Sequence, residues 1–190
     1  MRIAVIGTGS IGGTLGQRFA AAGHDVVYGT RKGGGGGPAG GRAASIADAL
    51  AEAEAVVIAI PGGAVADFAS EHGAALSGKV VVDATNHIGA AEVNGRAAIA
   101  AAAPGAHYAR AFSTLGWENF ADPPAGACMF FAADPAARPV AEELISAVGL
   151  EPAYVGDAAA AGTVDGALPL WFALVRQQGG NRRLAFALVR

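Results

Sequence analysis

The chain has 190 residues, with 53% hydrophobic and 15% charged side chains, and a formal net charge of −3 at pH 7. This length suits one domain with a small extension at most, and the composition is too apolar for a disordered chain. The sequence shows neither a basic cluster nor a run of about 20 apolar residues, so we expect no nucleic acid and no membrane as partner. Cys128 is the one cysteine, which excludes an intramolecular disulfide and argues against a metal site.

A glycine-rich turn follows the first apolar run of the chain. It consists of Gly7, Thr8, Gly9, Ser10, Ile11 and Gly12, and an amphipathic segment continues from it to Ala22. A strand, a G-x-G-x-x-G turn and a helix in this order form the dinucleotide-binding fingerprint. We expect Gly7 to allow the tight turn, Gly9 to let backbone N–H groups approach a pyrophosphate, and Gly12 to let the helix pack close to the strand. A glycine-rich turn without a ligand is the alternative.

Short apolar strands alternate with helices along the rest of the chain. Strands are predicted at 2–6, 25–29, 55–60, 79–83, 107–112, 127–132 and 151–155, and helices at 11–22, 45–51, 64–76, 91–103 and 135–148. The strands lack a clean alternation of polar and apolar residues, which indicates an α/β fold of the Rossmann type, doubly wound around a mostly parallel sheet. The glycine-rich residues 33–41 predict a surface loop.

The chain divides into a main domain and a short tail. We assign residues 1–158 to the dinucleotide-binding domain, and residues 159–190 to a C-terminal helical segment that breaks at Gly179. Only about thirty residues follow the last predicted strand, too few for a separate substrate domain. We therefore expect this segment to complete the active site or to form a dimer interface.

The end of the second strand favours NADP(H) as the cofactor. In this fold an acidic residue there usually accepts the ribose hydroxyls of NAD, whereas a nearby arginine accommodates the 2′-phosphate of NADP. Here Thr30, Arg31 and Lys32 occupy the position and no carboxylate does. A hydroxyl, a guanidinium and an ammonium can hold a phosphate through charge-assisted hydrogen bonds. The alternative is that Arg31 and Lys32 are solvated loop charges.

Further site residues are expected where other strands end, because ligands in open α/β sheets lie beyond the carboxyl ends of the strands. The cofactor contacts predicted there are Ile60, Pro61, Thr85, Asn86, Ser113 and Thr114. Asp83 is expected to brace its loop. His87 is the candidate proton carrier, with a surface loop residue as the alternative, whereas His24, His72 and His107 are expected to be structural.

No catalytic residue can be assigned from the sequence. It contains no Ser-His-Asp order, no C-x-x-C, no H-E-x-x-H and no P-loop lysine. Hydride transfer between two stacked rings depends more on their positioning than on an acid or a base. A site without an obvious proton carrier suits that reaction.

The chain resembles the NADPH-dependent reductases of the deazaflavin coenzyme F-420, which are small one-domain Rossmann proteins. The resemblance covers nearly the whole length and rests on residues 7–12, 29–31, 60–61, 111–115, 119–121, 178–180 and 184–186. It implies that a deazaflavin stacks on the nicotinamide in a cleft bordered by the Ser113–Leu115 loop and the C-terminal region. The residues assigned to the acceptor on this basis are Phe112, Leu115, Trp117 and Gly179. Ser113 and Gly116 stand where archaeal members have histidine and proline.

We therefore expect a cytoplasmic homodimer that transfers a hydride between NADP(H) and coenzyme F-420 or a flavin-like small molecule. Dimerisation is predicted through the apolar residues of the C-terminal helices, which are Leu168, Leu170, Trp171, Phe172, Leu174 and Val175. Two alternatives remain open. One is an NADP-dependent reductase of a small carbonyl or imine, and the other is a non-enzymatic NADP-sensing module.

Overall fold

The computed structural model describes residues 1–31, 33, 37, 38 and 41–189. Strands β1 to β9 of this part span Arg2–Ile6, Asp25–Thr30, Arg42–Ser45, Ala55–Ile58, Val80–Asp83, His107–Arg110, Ala127–Ala133, Glu151–Gly156 and Phe186–Ala187. Helices α1 to α8 span Ser10–Ala21, Ile46–Glu52, Val65–Leu76, Arg96–Ala102, Glu118–Ala121, Arg138–Val148, Ala161–Asp165 and Ala167–Gln177. Short 3-10 turns at Gly62–Ala64 and Ala158–Ala160 precede α3 and α7.

The strands form one sheet in the order β3-β2-β1-β4-β5-β6-β7-β8. All neighbours from β3 to β6 are parallel, β7 is antiparallel to β6, and β8 is parallel to β7. From β1 the chain first runs outward to β2 and β3 and then returns to the other side of β1 with β4. This reversal opens a crevice at the carboxyl ends of β1 and β4, where such sheets bind ligands. The predicted Rossmann-type α/β fold is confirmed.

Helices cover both faces of the sheet. Helix α1 packs with α5 and α6 on one face, and α3 packs with α2 and α4 on the other. Within β1, Ile3 and Val5 belong to the apolar cluster of the first face, and Ala4 and Ile6 to that of the second. Since both faces are buried, strand residues of both parities are apolar, which explains the missing polar alternation in the sequence.

Three elements were not predicted from the sequence. Strand β3 (Arg42–Ser45) extends the parallel sheet beyond β2, and the short helix α5 (Glu118–Ala121) lies between β6 and β7. The predicted helix after Gly179 is wrong: the chain turns there and adds β9, in which Phe186 lies opposite Cys128 of β7. Both missed strands are short and are held by backbone pairing to a neighbour, which a local sequence pattern does not reveal.

Two described glycines of the 33–41 region, Gly37 and Gly41, pack around a buried tyrosine. The Tyr28 ring is fully buried, and its hydroxyl donates to the carbonyl of Gly13 at 3.2 Å. A Cβ at Gly37 would lie 2.8 Å from this ring, and one at Gly41 would lie 2.6 Å from it. Burial raises the pKa of the Tyr28 phenol. These glycines therefore let the loop approach the ring closely.

Helical residues Ala158–Gln177 are, by length and composition alone, long and apolar enough to cross a membrane. The expectation that the sequence contains no such run is therefore wrong. Part of the stretch is buried in the fold, and Asp165 within it binds the buried Arg110. A single stretch of this kind is weak evidence for a span, because core helices pass the same test.

Candidate cofactor and active site

A cleft of about 1030 Å³ opens at the carboxyl ends of β1, β2 and β4. The glycine-rich turn, the end of β2 and the start of α2 form one side, and the residues after β4 and the exposed face of α3 form the other. It is lined by Ile6, Gly7, Thr8, Gly9, Gly29, Thr30, Arg31, Ile46, Ala59, Ile60, Pro61, Ala64, Asp67, Phe68, Glu71 and His72. Of the predicted cofactor contacts, the cleft brings together Gly7, Thr8, Gly9, Thr30, Arg31, Ile60 and Pro61.

The three fingerprint glycines have different surroundings. Gly7 has a φ of 108°, and a Cβ there would lie 2.5 Å from the carbonyl oxygen of Ala59. At Gly12 a Cβ would lie 2.1 Å from the carbonyl oxygen of Gly7. The turn itself therefore requires glycine at these two positions, as the fingerprint predicts. A Cβ at Gly9 would meet no described atom within 4 Å, so this position leaves an open approach to the backbone.

The N-terminus of α1 is suited to an anion. Gly9 is its N-cap, no side chain caps the helix, and its first turn, which contains Ser10 and Ile11, carries no acidic residue. The first backbone N–H groups of a helix have no partner within the helix, and its dipole favours negative charge at this end. Together with the open face of Gly9, this geometry fits the pyrophosphate of a dinucleotide.

The end of β2 fits a 2′-phosphate. Thr30 donates its hydroxyl to the carbonyl of Ala44 at 3.4 Å, and Arg31 is exposed and lines the cleft. The predicted contact Lys32 lies outside the described residues. Strand β2 ends without a carboxylate, so this position offers no acceptor for the ribose hydroxyls of NAD.

The wall formed by α3 was not predicted from the sequence. Asp67, Phe68, Glu71 and His72 line the cleft there, although His72 was expected to be only structural. Their spacing of one and four residues places them on one face of a helix. That spacing, directly after the Ile60-Pro61 strand end, is the signal that could have identified them.

A buried arginine of β6 connects the end of β5 with α7. Arg110 is fully buried, and its Nε donates to Oδ1 of Asp165 at 2.7 Å. Its remaining N–H groups donate to the backbone carbonyls of Asp83 and Thr85 and to Oδ1 of Asn86. Arg110 was not predicted from the sequence, although an arginine in an otherwise apolar strand signals a buried ionic partner.

Asp83 braces its loop, as predicted. Its Oδ1 accepts hydrogen bonds from the backbone N–H and the hydroxyl of Thr85, at 2.9 and 2.6 Å. Its Oδ2 accepts from the N–H of Gly95 and the hydroxyl of Tyr108, at 2.7 and 2.8 Å. The pKa of Tyr108 lies well above its ordinary value, mainly because the phenol is buried and secondly because the Asp83 carboxylate is close to it. The Thr85 hydroxyl is thus hydrogen-bonded to Asp83, and Thr85 does not line the cleft.

The loops after β4, β5 and β6 lie side by side. Asn86 donates its side-chain N–H to the carbonyl of Ser113 at 2.8 Å, which joins the second and third of these loops. A Cβ at Gly62 would lie 2.4 Å from the backbone nitrogen of His87, so the first two are in close contact. The His87 residue is exposed, and its Nε2 lies 3.7 Å from the Cβ position of Gly63.

The predicted acceptor loop is more buried than expected. Phe112 has a φ of 59°, rare for a non-glycine residue, and its ring packs in the core against Phe19 and Phe120. Thr114 is also buried, and its hydroxyl faces the sulfur of Met129 at 3.8 Å. Any ligand contact by Phe112 would therefore involve its backbone, because the side chain is enclosed.

Ser113 and its neighbours differ in their exposure. Among the residues that the structure describes, no group accepts from or donates to the buried hydroxyl of Ser113. A buried hydroxyl without a hydrogen-bond partner lowers the stability of the fold by about 1–3 kcal/mol. Unpaired buried polar groups often belong to ligand sites. Leu115 is buried, Trp117 is 38% exposed, and Gly179 is exposed at the end of α8.

The C-terminal segment is fastened to the residues that follow this loop. Trp171 donates its indole N–H to the carbonyl of Leu184 at 2.8 Å. The amide of Asn119 donates to the carbonyl of Arg182 at 2.9 Å, and the Arg182 side chain binds Glu118 at 2.8 Å. The segment therefore packs against α5 and its flanks, close to Trp117.

Residues 2–87 match the model of the family described as NADP oxidoreductase, coenzyme F420-dependent. This part, slightly less than half of the chain, is thus similar to that family. The whole chain aligns at 26% identity with all of a proposed F420-dependent NADP-reductase from Arthrobacter sp. FB24, with a TM-score of 0.84. The chain is thus similar to NADP-dependent oxidoreductases, and the glycine turn with its cleft lies within the part that matches the family model.

Two other solved structures extend the comparison. A hypothetical protein from Sinorhizobium meliloti shares 26% identity over 100% of this chain and 96% of its own, with a TM-score of 0.73. A pyrroline-5-carboxylate reductase from Coxiella burnetii shares the fold, at 16% identity over 93% of this chain and 68% of its own, with a TM-score of 0.68. No curated protein matches the chain.

Proposed function

We propose that this protein transfers a hydride between NADP(H) and coenzyme F-420 or a flavin-like acceptor. One observation carries the proposal. The dinucleotide cleft adjoins strand-end loops in which the described polar side chains, apart from the exposed His87, are buried or bound to other protein groups. The name of the Arthrobacter relative supports the same acceptor.

Different groups of the protein would bind different parts of NADP(H). The N–H groups at the start of α1 would hold the pyrophosphate, and the open face of Gly9 allows its approach. Arg31 would pair with the 2′-phosphate, since a guanidinium forms charge-assisted hydrogen bonds with phosphate oxygens. Pro61 would border the ribose and nicotinamide. When bound, the nicotinamide supplies or accepts the hydride.

The strand-end loops support positioning rather than acid–base catalysis. The Thr85 hydroxyl binds Asp83, and Asn86 binds both Arg110 and the carbonyl of Ser113. These contacts fix the backbone beside the expected nicotinamide position. Reduction of a flavin-like ring requires that this ring and the nicotinamide are held at the correct distance. A fixed backbone next to the nicotinamide would help to hold them there.

A second candidate is the NADP-dependent reduction of a small carbonyl or imine. The position of His87 beside Gly63 favours it, because an exposed imidazole next to the cleft could donate the proton that this reaction needs. In that case the reaction rate would vary with pH, and His87→Gln would remove that pH dependence.

Oxidation of NADPH with different acceptors tests the proposal. The purified protein is assayed against coenzyme F-420, FMN, FAD, ferric chelates and a cyclic imine, with each acceptor omitted in turn as the control. We expect turnover with coenzyme F-420 or a flavin. Turnover with the imine alone would replace the proposal by the second candidate. Tight NADPH binding without turnover on any acceptor would favour an NADP-sensing module.

A further inference from the structure

We propose that helix α3 recognises the adenine base of the cofactor, with Asp67 and Glu71 accepting hydrogen bonds from its 6-amino group. This inference rests on the proposed binding of NADP(H) in the cleft. It assigns a specificity role to a wall that the glycine fingerprint and Arg31 do not include.

Helix α3 presents two rows of side chains to the cleft. Asp67 and Glu71 form an acid row, and Phe68 and His72 form an aromatic row, each with members four residues apart. The Phe68 and His72 rings lie 5.3 Å apart, and the His72 side chain is largely buried. The Glu71 carboxylate turns toward the aromatic row, with Oε1 at 3.6 Å from Nε2 of His72.

The position of this wall corresponds to the adenosine half of the cofactor. The cleft extends from the Gly9 turn, where the pyrophosphate fits, past Arg31 at the end of β2, to the facing side of α3. The side chains of Ile46, Ala64 and Phe68 give this part an apolar lining that suits the faces of a purine. The acid row stands beside that lining.

The charges in this part of the cleft fix the orientation of an adenosine 2′-phosphate. A carboxylate can only accept hydrogen bonds, so it suits the 6-amino group of adenine, which can only donate here. A phosphate is repelled by the acid row and attracted to Arg31 on the other side. The base therefore faces α3 while the 2′-phosphate faces β2.

Hypoxanthine in place of adenine is the probe for this contact, because its 6-oxygen accepts hydrogen bonds where the 6-amino group of adenine donates them, and its N1 carries a proton. Binding of NADP⁺ and of nicotinamide hypoxanthine dinucleotide phosphate is measured by titration calorimetry. A hydrogen bond to a charged group contributes about 1.5–3 kcal/mol, so the wild-type protein should prefer NADP⁺ by roughly 10- to 150-fold. In Asp67→Asn/Glu71→Gln the preference should fall below about threefold, since amide groups can also donate to the 6-oxygen.

Two matched variants control for general effects of charge and affinity. Glu142→Gln/Glu143→Gln removes two charges from α6 on the other face of the sheet and should keep the preference for adenine. Arg31→Ala should weaken both 2′-phosphorylated nucleotides and leave their ratio unchanged.

Equal wild-type affinities for the two nucleotides would overturn the inference, and so would a preference that survives in the α3 double variant. Failure to bind either nucleotide would overturn the NADP(H) assignment itself. Because the titration needs no hydride acceptor, an incorrect acceptor assignment would leave its result unaffected.

Discussion

Arg110 of β6 and Asp165 of α7 form a buried ion pair, with the guanidinium Nη2 at 2.7 Å from Oδ1 of the carboxylate. Oδ2 of the same carboxylate accepts from the side chain of Asn94 at 2.7 Å. The pair thus joins the C-terminal helices to the sheet and, through Arg110, to the loop at Asn86. The tail is therefore part of the structure that positions the strand-end loops.

Loss of one charge from this pair should destabilise the whole domain. Asp165→Asn removes the carboxylate nearest to the buried Arg110 guanidinium and leaves Asp83, whose Oδ1 lies 3.4 Å from Nη1, as the other described anion. Removing one partner of a buried pair costs up to about 3–5 kcal/mol. Urea unfolding should show this loss in the free energy of unfolding. Glu142→Gln, in the exposed pair with Arg138, should cost less than about 1 kcal/mol. A loss for Asp165→Asn no larger than that of the control would contradict the prediction.

Arg31→Ala should reduce the discrimination between NADPH and NADH. Removing the guanidinium from a phosphate costs about 1.5–3 kcal/mol, so NADPH should bind roughly 10- to 150-fold more weakly while NADH binding hardly changes. Fluorescence titration with both cofactors measures the ratio. Arg42→Ala, whose partner Glu52 lies outside the cleft, serves as the control. An equal loss for both cofactors would rule out a phosphate pocket at Arg31.

Gly9→Ala should separate cofactor binding from folding. The alanine Cβ would meet no described atom within 4 Å, and Gly9 has an ordinary φ of −69°, so the free energy of unfolding should change by less than about 1 kcal/mol. The same methyl group would stand where a pyrophosphate must approach, and NADPH affinity should fall at least about tenfold. Gly162→Ala, equally uncrowded but on α7, should change neither quantity much. Full NADPH affinity in Gly9→Ala would place the pyrophosphate elsewhere.

The parts of the protein that were predicted correctly from the sequence are those specified by local patterns. The glycine fingerprint is a local motif whose glycines the turn requires, and the predicted helix at 45–51 forms as α2, where the Ser45 side chain accepts from the N–H of Asp48. Strand β9 and the Arg110–Asp165 pair depend on partners between 55 and 60 residues away. Contacts at that separation leave no periodic signal.

The α3 wall and the Phe112 ring illustrate the same difference at the site. The sequence predicts Phe112 as the last residue of a strand, but β6 ends at Arg110. The positive φ of Phe112 turns its ring into the core, and no sequence pattern indicates that turn. Glu71 and His72 lie ten and eleven residues after Pro61, and they reach the cleft only because α3 packs beside it. Side-chain direction, rather than element position, was the missing information.

Ser113→Ala should show whether the buried hydroxyl serves the ligand. Because no described group pairs with it, its removal should leave stability unchanged or raise it by up to about 1–3 kcal/mol. If the hydroxyl binds the nicotinamide or the acceptor, turnover should fall at least about tenfold. Thr114→Val, whose lost hydroxyl faces only the Met129 sulfur, is the matched control and should keep its turnover. Unchanged turnover in Ser113→Ala would remove the Ser113 side chain from the site.

The exposed side of α8 should form the dimer interface. Leu168, Trp171 and Val175 are buried within the protomer, so they cannot contribute to the interface as the sequence analysis expected. Leu170 and Leu174 are 54% and 40% exposed and lie four residues apart on another face of the helix.

Charge on that face should therefore separate the protomers. Leu170→Lys/Leu174→Lys places two cations in the predicted contact and should convert a dimer into a monomer at micromolar concentration, because apolar contact area is lost and like charges face each other. Light scattering coupled to gel filtration measures the mass, and thermal unfolding checks that the protomer still folds. Leu188→Lys, on the exposed residues after β9, is the control and should remain dimeric. A wild-type protein that is monomeric under these conditions, or a double variant that stays dimeric, would show that α8 does not form the interface.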